Sequence, residues 1–208
     1  MPFQRTGIVL CHEVWGITPA LRAAASDFER AGHDVAVADF YGGAVVHTYR
    51  SASTLRDALT LDGIHAGLQG AIDVVQEAGA TRVVVIGYSM GGAIALWAAT
   101  TLPVDLAVTY YGGGIAKPYW SGMPSGPDLA ARLSVPWLGF YGGRDPLTPR
   151  AQLETLSAAA SQAPNPGEVI VYEQADHGFA LDPADPRHDE VAAADARARV
   201  RDALDALR

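Results

Sequence analysis

The sequence contains a single cysteine and no apolar run long enough to cross a membrane. Cys11 alone cannot form an intrachain disulfide, so the fold has to be stabilised without a disulfide framework. Residues 1–6 lack the charged segment and long apolar run of a secretory signal peptide. The 15 basic side chains stand against 23 acidic ones, and the net charge of −8 disfavours nucleic acids and anionic membranes as partners. We therefore expect a cytoplasmic protein with no nucleic-acid partner and no membrane partner.

The sequence does contain enough apolar material for one folded domain. Of its 208 residues 49% are hydrophobic and 18% charged, which is ordinary for a globular protein. That length suits one domain with a substantial core and is short for two. We expect residues 1–208 to form a single domain.

Short apolar runs rich in β-branched residues alternate with stretches of helical periodicity. The predicted strands are 7–11, 34–38, 82–86, 106–110, 137–141 and 169–172, and the predicted helices are 19–31, 63–78, 90–102, 150–160 and 186–207. Continuous apolar strands between helices indicate a parallel sheet that is covered on both faces. We predict an α/β fold, a mostly parallel, doubly wound sheet of about six to seven strands with helices on both faces.

Two segments, 41–62 and 112–133, do not fit this alternation. The second contains three prolines and five glycines. Loops of this length in a compact domain are usually functional or mobile. We expect them to form pocket walls or a partial lid.

Gly87, Ser89 and Gly91 have the spacing of a nucleophile elbow, G-x-S-x-G, between a predicted strand and a predicted helix. Such an elbow holds its serine in strained backbone geometry, and small neighbours let the strand and helix pack closely. The motif alone is weak evidence, because glycine and serine are common. The flanking strand and helix favour a catalytic elbow over a plain βα turn.

Two further polar residues follow later predicted strands, in the order of an α/β-hydrolase triad: Ser89, Asp145, His177. A serine hydroxyl needs a base to accept its proton, which His177 can do, and Asp145 would orient the imidazole. Taken singly, Asp145 could be a turn or helix-capping residue and His177 a solvated loop residue. Ligands bind beyond the carboxyl ends of parallel strands, so joint placement there favours a triad.

The loop after the first strand carries an unexpected carboxylate, Glu13. An oxyanion hole needs two backbone N–H groups, one expected from Met90 and the other from residues 11–16. Glu13 is interpreted as a site residue, with an outward-facing surface acid as the alternative. Cys11 is expected to be a buried structural thiol. No cluster has metal-ligand spacing, so we expect no metal, and the remaining histidines (His12, His33, His47, His65 and His188) are expected to be at the surface or lining the pocket.

At this point the chain resembles the dienelactone hydrolase family over nearly its whole length. The matching segments are Glu13-Val14-Trp15-Gly16, Asp39-Phe40-Tyr41, Gly87-Tyr88-Ser89-Met90-Gly91-Gly92, Tyr110-Tyr111-Gly112, Gly142-Gly143-Arg144-Asp145-Pro146 and His177-Gly178-Phe179. The resemblance implies an α/β-hydrolase fold and hydrolysis of small esters and lactones through an acyl-enzyme, without a cofactor. It further implies that Val14 and Met90 donate the oxyanion hydrogen bonds and that Glu13 contacts the nucleophile in the resting state.

Three departures from the family qualify this expectation. Familiar members have cysteine where this chain has Ser89, and a serine must lose its proton during attack, whereas a thiolate can form beforehand. Dienelactone-specific members place an arginine where this chain has Leu181, which favours a neutral substrate over an anionic one. The sequence also starts at the strand that carries Cys11, so we expect a shortened sheet without the preceding hairpin.

The leading hypothesis is a serine hydrolase that acts on small, mostly apolar esters or lactones, as a monomer or homodimer. Its pocket would be lined by aromatic residues of the loops, namely Trp15, Tyr41, Tyr111, Trp120 and Phe179, although loop aromatics are equally often packing anchors. One alternative is a thioesterase or acyl-protein esterase with an apolar groove beside Ser89. The other is a catalytically inactive α/β-hydrolase scaffold that serves as a binding module, which the complete set of Ser, His and Asp disfavours.

Overall fold

A computed structural model describes residues 5–207 of the chain. Within that range it contains a parallel sheet of six strands in the order β2-β1-β3-β4-β5-β6. The strands are β1 (Thr6–Cys11), β2 (Asp34–Ala38), β3 (Arg82–Tyr88), β4 (Leu106–Tyr110), β5 (Trp137–Gly142) and β6 (Glu168–Tyr172). The helices are α1 (Pro19–Arg30), α2 (Tyr49–Ala58), α3 (Leu61–Glu77), α4 (Met90–Thr101), α5 (Gly126–Ala130), α6 (Arg150–Ser161) and α7 (Glu190–Ala206). All the adjacent strand pairs are parallel, which confirms the predicted α/β sheet.

The inner strands β1, β3, β4 and β5 bury side chains on both of their faces, as expected for a parallel sheet between two helical layers. In β1, Val9 and Cys11 belong to the core under α3, α4, α5 and α6. Ile8 and Leu10, which alternate with them, pack in the core under α1 and α7. The period of two in a strand therefore distributes one apolar run between two cores.

The two segments that interrupt the alternation each contain a helix that the sequence pattern did not predict. Helix α2 lies within 41–62 and begins after Thr48, whose hydroxyl accepts the Ser51 N–H. Ala52 is the buried residue of α2. The short helix α5 lies within 112–133 and begins after Ser125, whose side chain accepts the Asp128 N–H. The expectation of loops throughout both segments was wrong at these helices.

The sheet brings the predicted site residues to one edge. Because the strands are parallel, the residues that follow β1, β3, β5 and β6 all emerge at the carboxyl edge. β1 lies between β2 and β3. Successive strands are therefore added on one side of β1 first and on its other side from β3 onward. This switch point is where open α/β sheets form a crevice, and Glu13 and Ser89 follow the two strands that border it.

Close packing explains the glycines on both sides of Ser89. A Cβ atom built on Gly87 would lie 1.9 Å from the carbonyl oxygen of Gly91. A Cβ atom built on Gly91 would lie 2.3 Å from the carbonyl oxygen of Cys11, which belongs to the neighbouring strand β1. Both approaches are to backbone, which cannot move aside as a flexible side chain can. Gly91, near the start of α4, therefore packs directly against the backbones of β1 and β3, with no side chain between them.

This packing predicts opposite effects for two glycine-to-alanine substitutions in helices. Gly91→Ala should destabilise the protein by about 2 kcal/mol or more, because its Cβ would overlap the β1 backbone. The matched control Gly70→Ala, on the exposed side of α3 with open space around its Cβ, should stabilise by about 0.5–1 kcal/mol. Urea unfolding measures both. Equal effects of the two substitutions would contradict the close contact at Gly91.

Candidate active site

Ser89 occupies the sharp turn between β3 and α4. Its backbone has φ 51° and ψ −111°, in the left-handed half of φ space that non-glycine residues rarely adopt. Its N–H donates to the carbonyl oxygen of Tyr110 at 2.9 Å, and its own carbonyl accepts the Gly92 N–H at 2.9 Å. Strain of this kind typically costs on the order of 1–3 kcal/mol and persists where the surroundings hold it in place. The turn presents the hydroxyl at the N-terminal, electropositive end of α4.

His177, in the loop after β6, lies between Ser89 and Asp145. Its Nε2 is 2.9 Å from Ser89 Oγ, and its Nδ1 is 2.7 Å from Asp145 Oδ2. A carboxylate can only accept, so Nδ1 carries the proton that it donates to Asp145. In the neutral ring Nε2 then holds a lone pair and accepts the Ser89 hydroxyl proton. The structure thus brings together the three residues that the sequence placed in triad order.

Asp145 is buried at the end of β5 and uses its two carboxylate oxygens differently. Oδ1 accepts the Leu147 N–H at 2.8 Å, which is a local turn, while Oδ2 faces His177. The residue that caps α6 is Pro149, so Asp145 does not cap that helix. The turn interpretation and the His177 interaction are therefore both present in one side chain. The turn holds the carboxylate in a fixed direction.

Glu13 lies in the loop after β1, partly exposed, beside His177. Loss of water contact raises the pKa of its carboxyl from the usual 4.5 to about 7. The charges of His177 and Arg187 oppose this rise, and Asp185 adds to it. Glu13 is therefore divided between its neutral and ionised forms near neutral pH. Within the described chain Ser89 Oγ hydrogen-bonds His177, and no hydrogen bond joins it to Glu13.

Arg187 is a site-edge residue that the sequence pattern did not reveal. Its guanidinium donates to both carboxylate oxygens of Asp185, at 2.9 and 2.6 Å, and passes beside Gly178. Its charge also acts on Glu13. Leu181, by contrast, is buried in the core under α1 and α7. A cation therefore lies near the site, six positions later in the chain than the family pattern would place it. Arg187 was assigned to the start of the predicted helix 186–207.

His12 is fully buried, which contradicts the expectation that it lies at the surface or lines the pocket. Its Nδ1 is 2.6 Å from the carbonyl oxygen of Glu13, and its Nε2 accepts the Phe40 N–H at 3.2 Å. Burial lowers the pKa of its imidazole. A buried ring needs a partner for each nitrogen, which no local sequence pattern indicates. The other four histidines are at least partly exposed.

The two backbone amides expected to form an oxyanion hole belong to Met90 and Val14. Met90 is the first residue of α4, and Val14 follows Glu13. Among the described residues neither N–H donates to a backbone carbonyl. Both amides therefore retain their donor capacity for an external acceptor.

The five aromatic residues proposed for the pocket fall into two groups. Trp15 and Tyr41 are partly exposed, and the Tyr41 hydroxyl donates to Met90 Sδ at 3.2 Å. Tyr111, Trp120 and Phe179 are buried. The Tyr111 ring lies 5.0 Å from the His177 ring and 5.4 Å from the Phe179 ring, measured between centroids. Tyr111 and Phe179 therefore support the site from behind by packing, whereas Trp120 packs in the core under α3, α4, α5 and α6.

Trp120 also joins the two segments expected to be pocket walls. Its indole N–H donates to the carbonyl oxygen of Arg56, at the end of α2, at 2.8 Å. The Arg56 guanidinium in turn lies over the ring of the neighbouring Tyr119, 4.7 Å from its centroid. Helix α2 and the loop that precedes α5 are thereby connected beside the site.

Residues 5–207 include one cysteine and several acidic side chains and histidines outside the site. Cys11 is buried, and burial raises the pKa of its thiol well above the usual range, as expected for a structural thiol. In that part of the chain no three or more His, Cys, Asp or Glu side chains are grouped as metal ligands. Nor does any described helix combine the length and apolar character needed to span a bilayer.

Known proteins similar to this chain agree on one family. A model of the dienelactone hydrolase family matches residues 1–207. A carboxymethylenebutenolidase of Rhodococcus opacus is 30% identical over 196 residues, covering 90% of this chain and 75% of the relative. A putative carboxymethylenebutenolidase of Salmonella typhimurium is 34% identical over 104 residues, covering 50% of this chain and 38% of the relative.

Solved structures agree with the fold. A putative dienelactone hydrolase from Klebsiella pneumoniae superposes with a TM-score of 0.80 at 24% identity, covering 96% of this chain and 86% of the other. A dienelactone hydrolase-like promiscuous phosphotriesterase from metagenomic libraries gives 0.79 at 23% identity, covering 98% and 87%.

The raised pKa of Glu13 predicts a pH-dependent gain in stability for Glu13→Gln. The native state favours protonated Glu13, so the wild type loses stability as the pH rises from 4.5 through about 7. Glutamine stays neutral, so its stabilisation at about pH 8.5 should exceed that at about pH 5.5 by roughly 1–2 kcal/mol. Urea unfolding at both pH values measures the difference. Glu77→Gln, at an exposed acid near the end of α3, is the control. The same gain at both pH values would contradict the raised pKa.

Proposed function

The chain belongs to the dienelactone hydrolase family, and we propose that it is a serine hydrolase that cleaves small esters or lactones through an acyl-enzyme. The observation that carries the proposal is the continuous hydrogen-bonded chain from Ser89 through His177 to the buried Asp145. A serine with a base at 2.9 Å, itself oriented by a carboxylate at 2.7 Å, has the arrangement needed for nucleophilic attack.

In the proposed reaction Ser89 Oγ attacks the substrate carbonyl carbon while His177 Nε2 accepts the hydroxyl proton. Asp145 stabilises the imidazolium that forms. The negative oxygen of the tetrahedral intermediate accepts hydrogen bonds from the Met90 and Val14 amides. When the intermediate collapses, His177 gives its proton to the leaving oxygen and the acyl group remains on Ser89. Water, deprotonated by His177, then hydrolyses the acyl-enzyme.

Glu13 is proposed to be in its protonated form when an oxyanion forms nearby. A fixed carboxylate beside that oxygen would oppose the developing negative charge. Its pKa of about 7 lets the group carry a proton at neutral pH and donate a hydrogen bond to Ser89 or to a water. Arg187, held by Asp185, limits how far that pKa rises.

The proposed substrate class is a small ester or lactone that is mostly apolar. Trp15 and Tyr41 offer partly exposed aromatic surface beside the site. Leu181 is buried where dienelactone-specific members have a cation, and Arg187 is already paired with Asp185. The Rhodococcus opacus relative is named a carboxymethylenebutenolidase, and this name supports a lactone.

The first test of the proposal is Ser89→Ala with a chromogenic short-chain ester. Loss of the nucleophile should lower kcat/KM by on the order of a thousandfold or more, because attack cannot occur without it. The control is Ser161→Ala, which removes an exposed hydroxyl at the end of α6 and should leave the rate unchanged. A wild type that neither hydrolyses esters nor reacts with a fluorophosphonate probe would indicate an inactive scaffold. A thioester substrate cleaved far faster than esters and lactones would indicate the thioesterase alternative.

The second test separates Asp145 from Asp176, the acidic residue that precedes His177 in the chain. Asp145→Asn replaces the charged carboxylate with a neutral amide, one of whose two terminal atoms is a donor. His177 then loses the group that orients its ring, and activity should fall by roughly a hundredfold or more. Asp176→Asn should keep activity within about twofold, because no hydrogen bond joins Asp176 to His177 in the described chain. Steady-state rates and circular dichroism on both variants give the comparison. A large loss in Asp176→Asn with Asp145→Asn active would reverse the assignment.

A further inference from the structure

The peptide unit between Glu13 and Val14 carries two groups with different tasks. Its N–H is the Val14 amide that the proposed function assigns to the oxyanion hole. Its carbonyl oxygen accepts from His12 Nδ1 at 2.6 Å and from the Gly16 N–H at 3.2 Å. In a trans peptide the C=O and N–H bonds lie in one rigid plane and point in opposite directions. Whatever holds the oxygen therefore also sets the direction of the N–H.

We infer that His12 is a positioning residue that holds the Glu13–Val14 peptide in the orientation needed for the oxyanion hole. The inference rests on the proposed function and adds a residue to it. His12 lies too deep in the core to meet substrate, since it is fully buried. It acts through the peptide that follows it.

The partners of His12 leave its ring one neutral protonation state. The Phe40 N–H can only donate, so Nε2 must hold a lone pair. The Glu13 carbonyl can only accept, so Nδ1 must hold the proton. A reversed peptide would place the Val14 N–H against the Nδ1–H, leaving two buried donors face to face. Such a loss of partners is expensive in a buried position, so the ring disfavours the flipped peptide.

The ring is itself held in place by the loop after β2. Its centroid lies 5.1 Å from that of Phe40 and 4.7 Å from that of Tyr41. The Tyr41 hydroxyl contacts the sulfur of Met90, the residue that supplies the other proposed oxyanion amide. His12 thus connects both sides of the proposed oxyanion hole through the loop after β2.

The turn around the peptide restricts it less strongly. The Gly16 N–H contact of 3.2 Å closes a turn of four residues, and Gly16 has φ 86°. A Cβ atom on Gly16 would lie 2.2 Å from the carbonyl oxygen of Ala44, so the turn is also packed against the loop after β2. Without His12 the turn would remain, but the Glu13 carbonyl would keep only its 3.2 Å contact with the Gly16 N–H.

The test compares three substitutions at His12 by ester hydrolysis. His12→Leu removes both hydrogen bonds and should lower kcat by about 10- to 100-fold with KM within about threefold, since the hole acts on the transition state. His12→Asn places an amide N–H near the position of Nδ1 and should recover most of the rate. His12→Gln reaches the position of Nε2 instead and should recover less. Phenylboronic acid, which forms a tetrahedral adduct on serine, should lose affinity in parallel with kcat.

Several outcomes would overturn the inference. One is equal kcat in His12→Leu and His12→Asn, and another is a rise in KM that accounts for the whole effect. Thermal unfolding of each variant identifies a loss that comes from instability alone. The Ser89→Ala experiment separates failure of this inference from failure of the proposed function: an inactive wild type or an active Ser89→Ala refutes the function. If Ser89→Ala is inactive but the His12 variants keep the wild-type kcat, this inference alone is refuted.

One measurement on the wild type remains decisive even if His12→Leu does not fold. Long-range ¹H–¹⁵N NMR of the histidine rings reports which nitrogen carries the proton. We expect His12 in the Nδ1–H form at neutral pH, whereas an Nε2–H form would remove the donor to the Glu13 carbonyl and overturn the inference.

Discussion

The contact between the start of α4 and the end of β1 is the constraint on which the site depends. Gly91 rests against the Cys11 carbonyl so closely that no Cβ could be placed between them. This contact sets the loop after β1 directly beside the loop after β3. The proposed oxyanion donors Val14 and Met90 follow these two strands, as does Ser89. A side chain at position 91 would separate the two amides as well as strain the fold.

Around this contact, most buried polar groups of the site have partners of fixed polarity. Asp145 receives an amide N–H on one oxygen and the imidazole on the other. His12 receives an amide N–H on one nitrogen and donates to a carbonyl from the other. For His12 this arrangement determines which ring nitrogen carries the proton. Glu13 differs, because its environment leaves it near the midpoint between two states at neutral pH. The site thus combines rigid polar groups with one carboxyl that titrates.

The sequence was sufficient to predict the sheet and the residues at its carboxyl edge. Apolar runs of β-branched residues located each strand to within two residues, and the glycine spacing at 87–91 placed Ser89 on the turn. Helix α2 was missed because it is short and buries little. Arg187 and His12 were missed for a related reason. Their roles come from contacts with residues distant in the chain or with backbone atoms, and neither leaves a periodic signal.

The strained backbone at Ser89 has a consequence for how the residue at this position evolves. Glycine adopts a φ of 51° most easily, because it has no Cβ to oppose that angle. Replacing the nucleophile with glycine would therefore relieve the turn and tend to stabilise the fold while abolishing attack. Selection for stability alone would thus favour loss of the serine at this position, and only selection for activity would retain it. Retention of a serine in this strained turn therefore supports the proposed role of Ser89 as the nucleophile.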